Sequence, residues 1–326
     1  MTTQRTDRAL TEHLGPRLTG ADLFRLATLI GLDRPVEVVD VGASPLVGEP
    51  PAYADLLAAG LATVTGFEPD AAAFAELQAR AGELSRYLPH AVGDGGRHTL
   101  RRCAAGGFSS LLEPDAAQLA VLTDFPRLAE VVGRDEVDTV RLDDTEVARA
   151  DLLALDVQGS EPAILDGASR VLRTCVAVQV EVGFHRLYED GPTLADVDTR
   201  LRAAGFVPHT FVTTRTWPLA PVIWEDPLEA HARHLVEADL LYVRDLARLT
   251  ALPVDLLRAG AVLACGAYGA MGLGLVCVRE LVRRGALGRD AETRLRDLLT
   301  TALGLEDPPH PARTDHPDTD SSGGRR

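Results

Sequence analysis

Two hydrophobic rhythms alternate along this chain. Ala21 to Leu32 carries Leu23, Phe24, Leu26 and Ile30 at helical spacing, which predicts a helix with one apolar face. Short β-branched runs then alternate with helical patterns. Val36 to Val41 (VEVVDV) predicts a first strand ending at Gly42, and a helix follows over Ala52 to Ala59. Ala62 to Phe67 (ATVTGF) predicts a second strand that stops at Glu68-Pro69-Asp70, before an Ala-rich helix over Ala71 to Leu84. A third strand is expected over Arg86 to Val92, ending in the turn cluster Gly93-Asp94-Gly95-Gly96.

The stretch from Arg97 to Leu142 is less regular. It predicts strands at His98–Cys103 and Val137–Leu142 with a helix at Asp115–Leu122 between them. Order returns at Asp151 to Val157 (DLLALDV), a strand stopped by Gln158-Gly159. Pro162 suits the first turn of a helix running to Leu172. Cys175 to Val182 (CVAVQVEV) predicts a further core strand, and a helix over Leu194 to Ala204 ends at Gly205. Phe206–Val212 and Leu240–Arg244 have the pattern of a closing antiparallel pair.

Strands alternating with helices predict an α/β fold, doubly wound around a mostly parallel sheet. The strands are apolar almost throughout, as strands buried on both faces must be. Four segments are expected: an N-terminal helical segment (1–35), the α/β domain (36–245), a helical extension (246–305) and a disordered tail (306–326) rich in Pro, Asp, Ser and Gly.

Composition narrows the partners. The formal charge is -15 and all 33 basic residues are Arg. No polybasic run is present, so a nucleic-acid backbone is not an expected ligand. The four Cys have no CxxC spacing, which argues against zinc and a disulfide framework. The N-terminus has no apolar signal-like run, and a cytoplasmic location is expected. Ala259 to Val278 lacks charge for twenty residues, long enough to span a membrane. Its Gly and Ala give little apolar drive, and a hairpin broken near Gly266 or Gly269 fits as well, so membrane contact is not expected. The sequence does not indicate an oligomeric state.

In open α/β sheets, ligands bind beyond the carboxyl ends of the strands. Four predicted strands finish beside an acidic residue: Asp40 before Gly42-Ala43, Glu68 before Pro69, Asp94 within its glycine turn, and Asp156 before Gln158-Gly159. Any one of them has an ordinary reading as a turn former or helix cap. Four at corresponding places point to a shared polar ligand. The first turn, Gly42 to Gly48, lacks the G-x-G-x-x-G spacing that cradles a pyrophosphate. S-adenosylmethionine has no phosphate, carries cationic groups that an acidic rim attracts, and offers a ribose diol to Glu68 and an adenine amine to Asp94.

The segments VVDVGAS (Val38–Ser44), GFEPD (Gly66–Asp70), AVGDGG (Ala91–Gly96), FSSLLEPD (Phe108–Asp115), VRLDD (Val140–Asp144), DLLALDVQGSEPAILDGA (Asp151–Ala168), VEVGFHRLY (Val180–Tyr188) and ADLLYVRD (Ala238–Asp245) together resemble the FkbM family of S-adenosylmethionine-dependent methyltransferases. The resemblance implies a class I methyltransferase fold and methyl transfer to a hydroxyl of a sugar, polyketide or similar small metabolite. The family often has Asn in place of Ser44, Lys in place of Ala154 and Glu in place of Gln158. The last two changes are either a compensated exchange or a sign of lost catalysis.

A neutral alcohol is a poor nucleophile, so O-methylation calls for a general base. His185 is the expected base, because imidazole titrates near neutral pH. Its alternative is a polar residue ordering the entrance. Asp156 and Glu181 are the carboxylates expected beside it, with Asp156 positioning the methionine ammonium or the acceptor hydroxyl. Glu161 and Glu181 have an alternative role as partners of Arg. Ser109 and Ser110 are expected either to contact the cofactor or to cap a helix. A divalent metal at Asp143, Asp144 and Asp156 is disfavoured, because adjacent side chains diverge. His231 and His234, taken to share a helical face, lack a third ligand. A catalytically inactive cofactor-binding module and a nicotinamide-dependent Rossmann enzyme remain the competing readings.

Overall fold

A computed structural model describes residues 9–43 and 50–305. The predicted tail and part of the first turn, residues 44–49, lie outside the described residues. The strands are β1 (Leu10–Glu12), β2 (Val36–Val41), β3 (Ala62–Phe67), β4 (Ser85–Leu88), β5 (Ala91–Val92), β6 (Arg97–Cys103), β7 (Val131–Val140), β8 (Leu152–Leu155), β9 (Ala177–Gly183), β10 (Phe206–Pro218) and β11 (Arg233–Arg244). The main sheet has the order β1-β10-β11-β9-β8-β2-β3-β4, and β5, β7 and β6 form a smaller one. Strands β4, β3, β2, β8 and β9 are mutually parallel, while β11 enters antiparallel between β9 and β10.

Residue alternation assigns each strand two cores. Val36 and Val38 of β2 join one cluster with Leu152, Ala177 and Leu241, while Val39 and Val41 join another with Leu153, Val178 and Val180. Both faces are covered, which is why the strands read as continuous apolar runs. The first cluster includes residues of the helices Gly20–Ile30, Val254–Val262, Met271–Arg283 and Ala291–Ala302. The C-terminal helices are therefore part of the sheet's own core.

The uncharged stretch from Ala259 to Val278 is broken, as the hairpin reading expected. Val254–Val262 continues as a π-helical turn over Leu263–Ala267, the chain bends at Gly269 (φ +63°), and Met271–Arg283 returns. Gly266 allows close packing, since a Cβ there would lie 2.7 Å from a Leu56 methyl and 2.8 Å from one of Leu23. Among the described residues no helix is long and apolar enough to cross a membrane.

Several expected elements differ. The third strand divides: β4 joins the main sheet, and the chain then leaves so that Ala91 and Val92 pair with Thr139 and Val140. The helix after Pro162 is two short ones, Glu161–Asp166 and Ser169–Leu172, and Asp143 accepts from the backbone N–H groups of Arg170 and Val171 at 2.7 and 3.0 Å. The N-terminal segment also carries β1, which pairs with β10. His231 ends a 3-10 turn and His234 lies in β11, so they share no helical face.

The amino end of the sheet is locked by an ion network that the sequence did not announce. Asp151 is fully buried. It accepts two hydrogen bonds from Arg34 at 2.6 and 2.8 Å, one from Arg149 at 3.0 Å and one from the Glu37 backbone N–H at 2.8 Å. Removing that carboxylate leaves the two guanidinium groups with only the partly exposed Glu37 and Asp255 as ion-pair partners among the described residues. Asp151→Ala is expected to lower the unfolding free energy by about 3 kcal/mol. The measurement is the urea midpoint, and an unchanged midpoint would sink the assignment.

Candidate functional site

Strand order reverses at β2, which has β3 on one side and β8 on the other. The four parallel strands β3, β2, β8 and β9 open their carboxyl ends along one edge there, and helices cannot cover the gap between diverging connections. At the tip of β2, Gly42 has a φ of +87°, and a Cβ would lie 2.0 Å from the Asp156 carbonyl oxygen. Only glycine allows the two loops this approach. The N–H groups of Gly42 and Ala43 both donate to the Phe67 carbonyl, each at 3.1 Å.

Asp40 lies two residues before this turn, in register with Gly66 and Ala154. The Tyr53 hydroxyl donates to its carboxylate. Burial, opposed by that hydrogen bond and aided by the negative charges of Asp156 and Glu68, pushes Asp40 up to about 6. Glu68, only 6% exposed, stands at the tip of β3. Its Oε1 accepts from the Asp70 N–H at 2.7 Å, and Oε2 has no hydrogen-bond partner among the described residues. Burial raises its proton affinity. Pro69 is exposed beside it, and Asp70 caps the helix Ala71–Arg80.

A methyltransferase FkbM domain matches residues 40–208. The chain belongs to the FkbM methyltransferase family. Its fold is the mostly parallel, doubly wound α/β sheet of class I methyltransferases, and its cofactor is S-adenosylmethionine. Similar solved structures include a putative methyltransferase from Thermoplasma acidophilum, at 13% identity over 67% of this chain and 71% of that one, with a TM-score of 0.32. They also include the precorrin-6y C5,15-methyltransferase of Geobacter metallireducens, at 12% identity over 71% and 98% and a TM-score of 0.31. A third is a SAM-dependent methyltransferase from Aquifex aeolicus, at 10% identity over 68% and 89% and a TM-score of 0.27. No curated protein matches the sequence.

The FkbM residues fit this cofactor chemically. A glycine turn gives close backbone approach, Glu68 has a carboxylate oxygen to spare for hydroxyl donors, and Asp40 and Asp156 supply negative charge for an ammonium or sulfonium. Asp94, the fourth acidic residue of the sequence pattern, is held by different neighbours. It follows β5 of the small sheet, because the chain has already left the parallel sheet, and its carboxylate is engaged by His98 Nε2 at 2.8 Å, the Gly96 N–H at 2.8 Å and Thr139 Oγ1 at 3.2 Å. Those partners hold its proton affinity below the usual range. Ser110 is buried, and its hydroxyl donates to the Gln158 carbonyl at 2.6 Å while accepting from the Leu112 N–H at 3.0 Å, so it fastens a loop.

Beside Asp156 the edge opens into a small cleft lined by Gln158, Glu181, His185, Tyr188, Thr193 and Glu237. His185 Nε2 lies 3.1 Å from the Gln118 carbonyl oxygen. A carbonyl can only accept, so Nε2 carries the proton and Nδ1 keeps the lone pair. Glu161 does not pair with an Arg. Its carboxylate accepts from the backbone N–H groups of Val157 at 3.0 Å and Gly159 at 3.0 Å. Burial outweighs these donors and pushes Glu161 up to about 7. Glu181 is raised too, by burial first and then by Asp156 and Glu237. Neither Glu161 nor Glu181 forms an ion pair among the described residues, whereas Glu237 meets Arg215 at 2.8 Å. Among the described residues no group of three His, Cys, Asp or Glu is arranged to hold a metal ion.

Sequence reasoning missed Tyr53, Tyr188, Glu237 and Tyr268. Tyr268 comes from the C-terminal helices and donates to Gln179 Oε1 at 3.0 Å, under the same strand ends. No motif marks Tyr53, Glu237 or Tyr268, whereas Tyr188 closes the segment Val180–Tyr188. Glu237 was detectable only through the alternation along β11.

Asp40, Glu161 and Glu181 hold protons more tightly folded than unfolded. Such groups stabilise the fold below the ordinary carboxyl range, and the contribution is lost as pH rises through about 6 for Asp40 and about 7 for Glu161. Thermal stability is therefore expected to fall between pH 5 and 8, and Glu161→Gln should flatten that slope, since its amide oxygen still accepts a backbone N–H. A melting temperature that rises with pH across this window would contradict the assignment.

Proposed function

We propose that the chain is an O-methyltransferase that transfers a methyl group from S-adenosylmethionine to a hydroxyl of a small metabolite. The observation that carries this reading is the cleft beside the switch point, where Asp156 adjoins Glu181 and His185 in an uncharged or acidic wall. An acidic wall favours a neutral or cationic acceptor and opposes a phosphate backbone.

The bound cofactor supplies a methyl group on a positively charged sulfur. Glu68 would hold the ribose hydroxyls through Oε2, with the turn at Gly42 and Ala43 drawing the β2 and β8 loops together beside the ligand and Asp40 facing its cationic end. Asp156 would orient the acceptor hydroxyl or the ammonium. As the acceptor oxygen forms its bond to carbon, its proton must leave, and Nδ1 of His185 is the lone pair that receives it. Glu181 lies in the same cleft and, in its ionised form, would support the imidazolium that results.

Two measurements check this. Calorimetric titration with S-adenosylhomocysteine should show Glu68→Ala weakening binding by about tenfold to a hundredfold, the cost of a lost hydrogen bond to a charged group. Equal affinity in the variant would refute the ribose assignment. Methyl transfer from labelled cofactor to a panel of sugars, polyketides and amines should label hydroxyl acceptors. His185→Ala is expected to slow transfer by about 10²- to 10⁴-fold while leaving cofactor affinity in place. Tight cofactor binding with no transfer to any acceptor would instead support an inactive binding module.

A further inference from the structure

Gln158 sits in the turn after β8 with a φ of +55°, a left-handed conformation that few residues with a side chain adopt. Its backbone is held there, because the Ser110 hydroxyl donates to its carbonyl at 2.6 Å and the next N–H, of Gly159, donates to Glu161. From this position the side-chain amide reaches two carboxylates. Nε2 donates to Asp156 Oδ1 at 3.1 Å and to Glu181 Oε2 at 2.9 Å. Oε1 lies 3.2 Å from the Tyr188 hydroxyl, which also lies 3.1 Å from the Phe108 carbonyl oxygen. The reverse orientation of the amide would aim its oxygen at two acceptors, so the bonding pattern fixes which end is which.

We propose that Gln158 is a positioning residue for the transfer reaction: its amide clasps Asp156 and Glu181 together at the mouth of the cleft and fixes both to the wall that carries His185. The inference rests on the reading of this cleft as the acceptor site. Every other group facing Glu181 acts on it through space. Asp156 and Glu161 follow β8, Glu237 and Asp239 project from β11, and Arg215 of β10 answers Glu237. His185 and Tyr188 come from the segment after β9 and line the same cleft. Among the described residues, Gln158 makes the one hydrogen bond to the Glu181 side chain. A donor to the ionised form lowers the proton affinity of a carboxyl group. Without it, burial and the neighbouring carboxylates act on Glu181 unopposed.

The test is carboxyl carbon NMR of the full chain labelled with carbon-13 at the glutamate side-chain carboxyl, with Glu181 assigned by the signal lost in Glu181→Gln. Gln158→Leu should raise the Glu181 titration midpoint by about one pH unit, a tenfold change in proton affinity. Gln158→Glu should raise it further, because a third carboxylate then adjoins Asp156. Tyr188→Phe frees the amide oxygen and should move the midpoint in the same direction by a smaller amount, which keeps the proposal testable if Gln158→Leu fails to fold. A residue that merely filled space would leave the midpoint where it was. An unchanged Glu181 midpoint in the folded variants therefore overturns the proposal. The titration needs no acceptor and no turnover. A shifted midpoint with an acceptor panel that stays unlabelled would leave the clasp standing and refute O-methylation.

Discussion

Carboxylates brought together without matching cations repel each other and resist burial, and this structure gathers Asp40, Asp156, Glu161 and Glu181 at one end of a parallel sheet. Such a cluster persists only if the fold holds it in place and hydrogen bonds partly replace water. The scaffold supplies these by several routes: the Tyr53 hydroxyl for Asp40, backbone N–H groups for Glu161 and the Gln158 amide for Asp156 and Glu181. Each partner is neutral. The negative field of the cluster is therefore softened without being cancelled, and it remains available to a cationic ligand.

The opposite end of the same sheet solves the opposite problem. Asp151 is more deeply buried than any of these carboxylates, and Arg34 and Arg149 meet it directly. Charge is neutralised where the strands begin and left unbalanced where they end. The first arrangement stabilises the sheet. The second uses part of that stability to prepare a site, a common trade at functional positions. The C-terminal helices take part in both roles. They bury one face of the sheet, and they send Tyr268 to Gln179 beneath the acidic rim.

Much of this was legible in the residues. The apolar runs at Val36–Val41, Ala62–Phe67 and Asp151–Val157 identified the parallel strands because burial on both faces leaves no polar alternation to confuse them. Asp40, Glu68 and Asp156 were read from the ends of strands that do lie side by side in the main sheet. The strand before Asp94 was misjudged, because the sequence shows where a strand stops but not which sheet it joins. The main chain leaves the sheet between Leu88 and Ala91, at Pro89, whose missing N–H was the one local signal against a continuous strand. Gln158 was read as a departure from the family pattern, and its bonds to Asp156 and Glu181 depend on a left-handed backbone that no local signal announces. Tyr53 and Tyr268 come from distant segments, and long-range packing of that kind is not written in any short stretch of chain.

The central claim is that a rim of carboxylates at the strand-order reversal receives a phosphate-free, cationic nucleoside. A crystal structure of the full chain with S-adenosylmethionine bound tests it most directly. The ribose hydroxyls are expected on Glu68 and the methionine end beside Asp40 and Asp156, with the methyl group facing the cleft of Glu181 and His185. A cofactor seated elsewhere, or one whose ribose turns away from Glu68, would contradict the account.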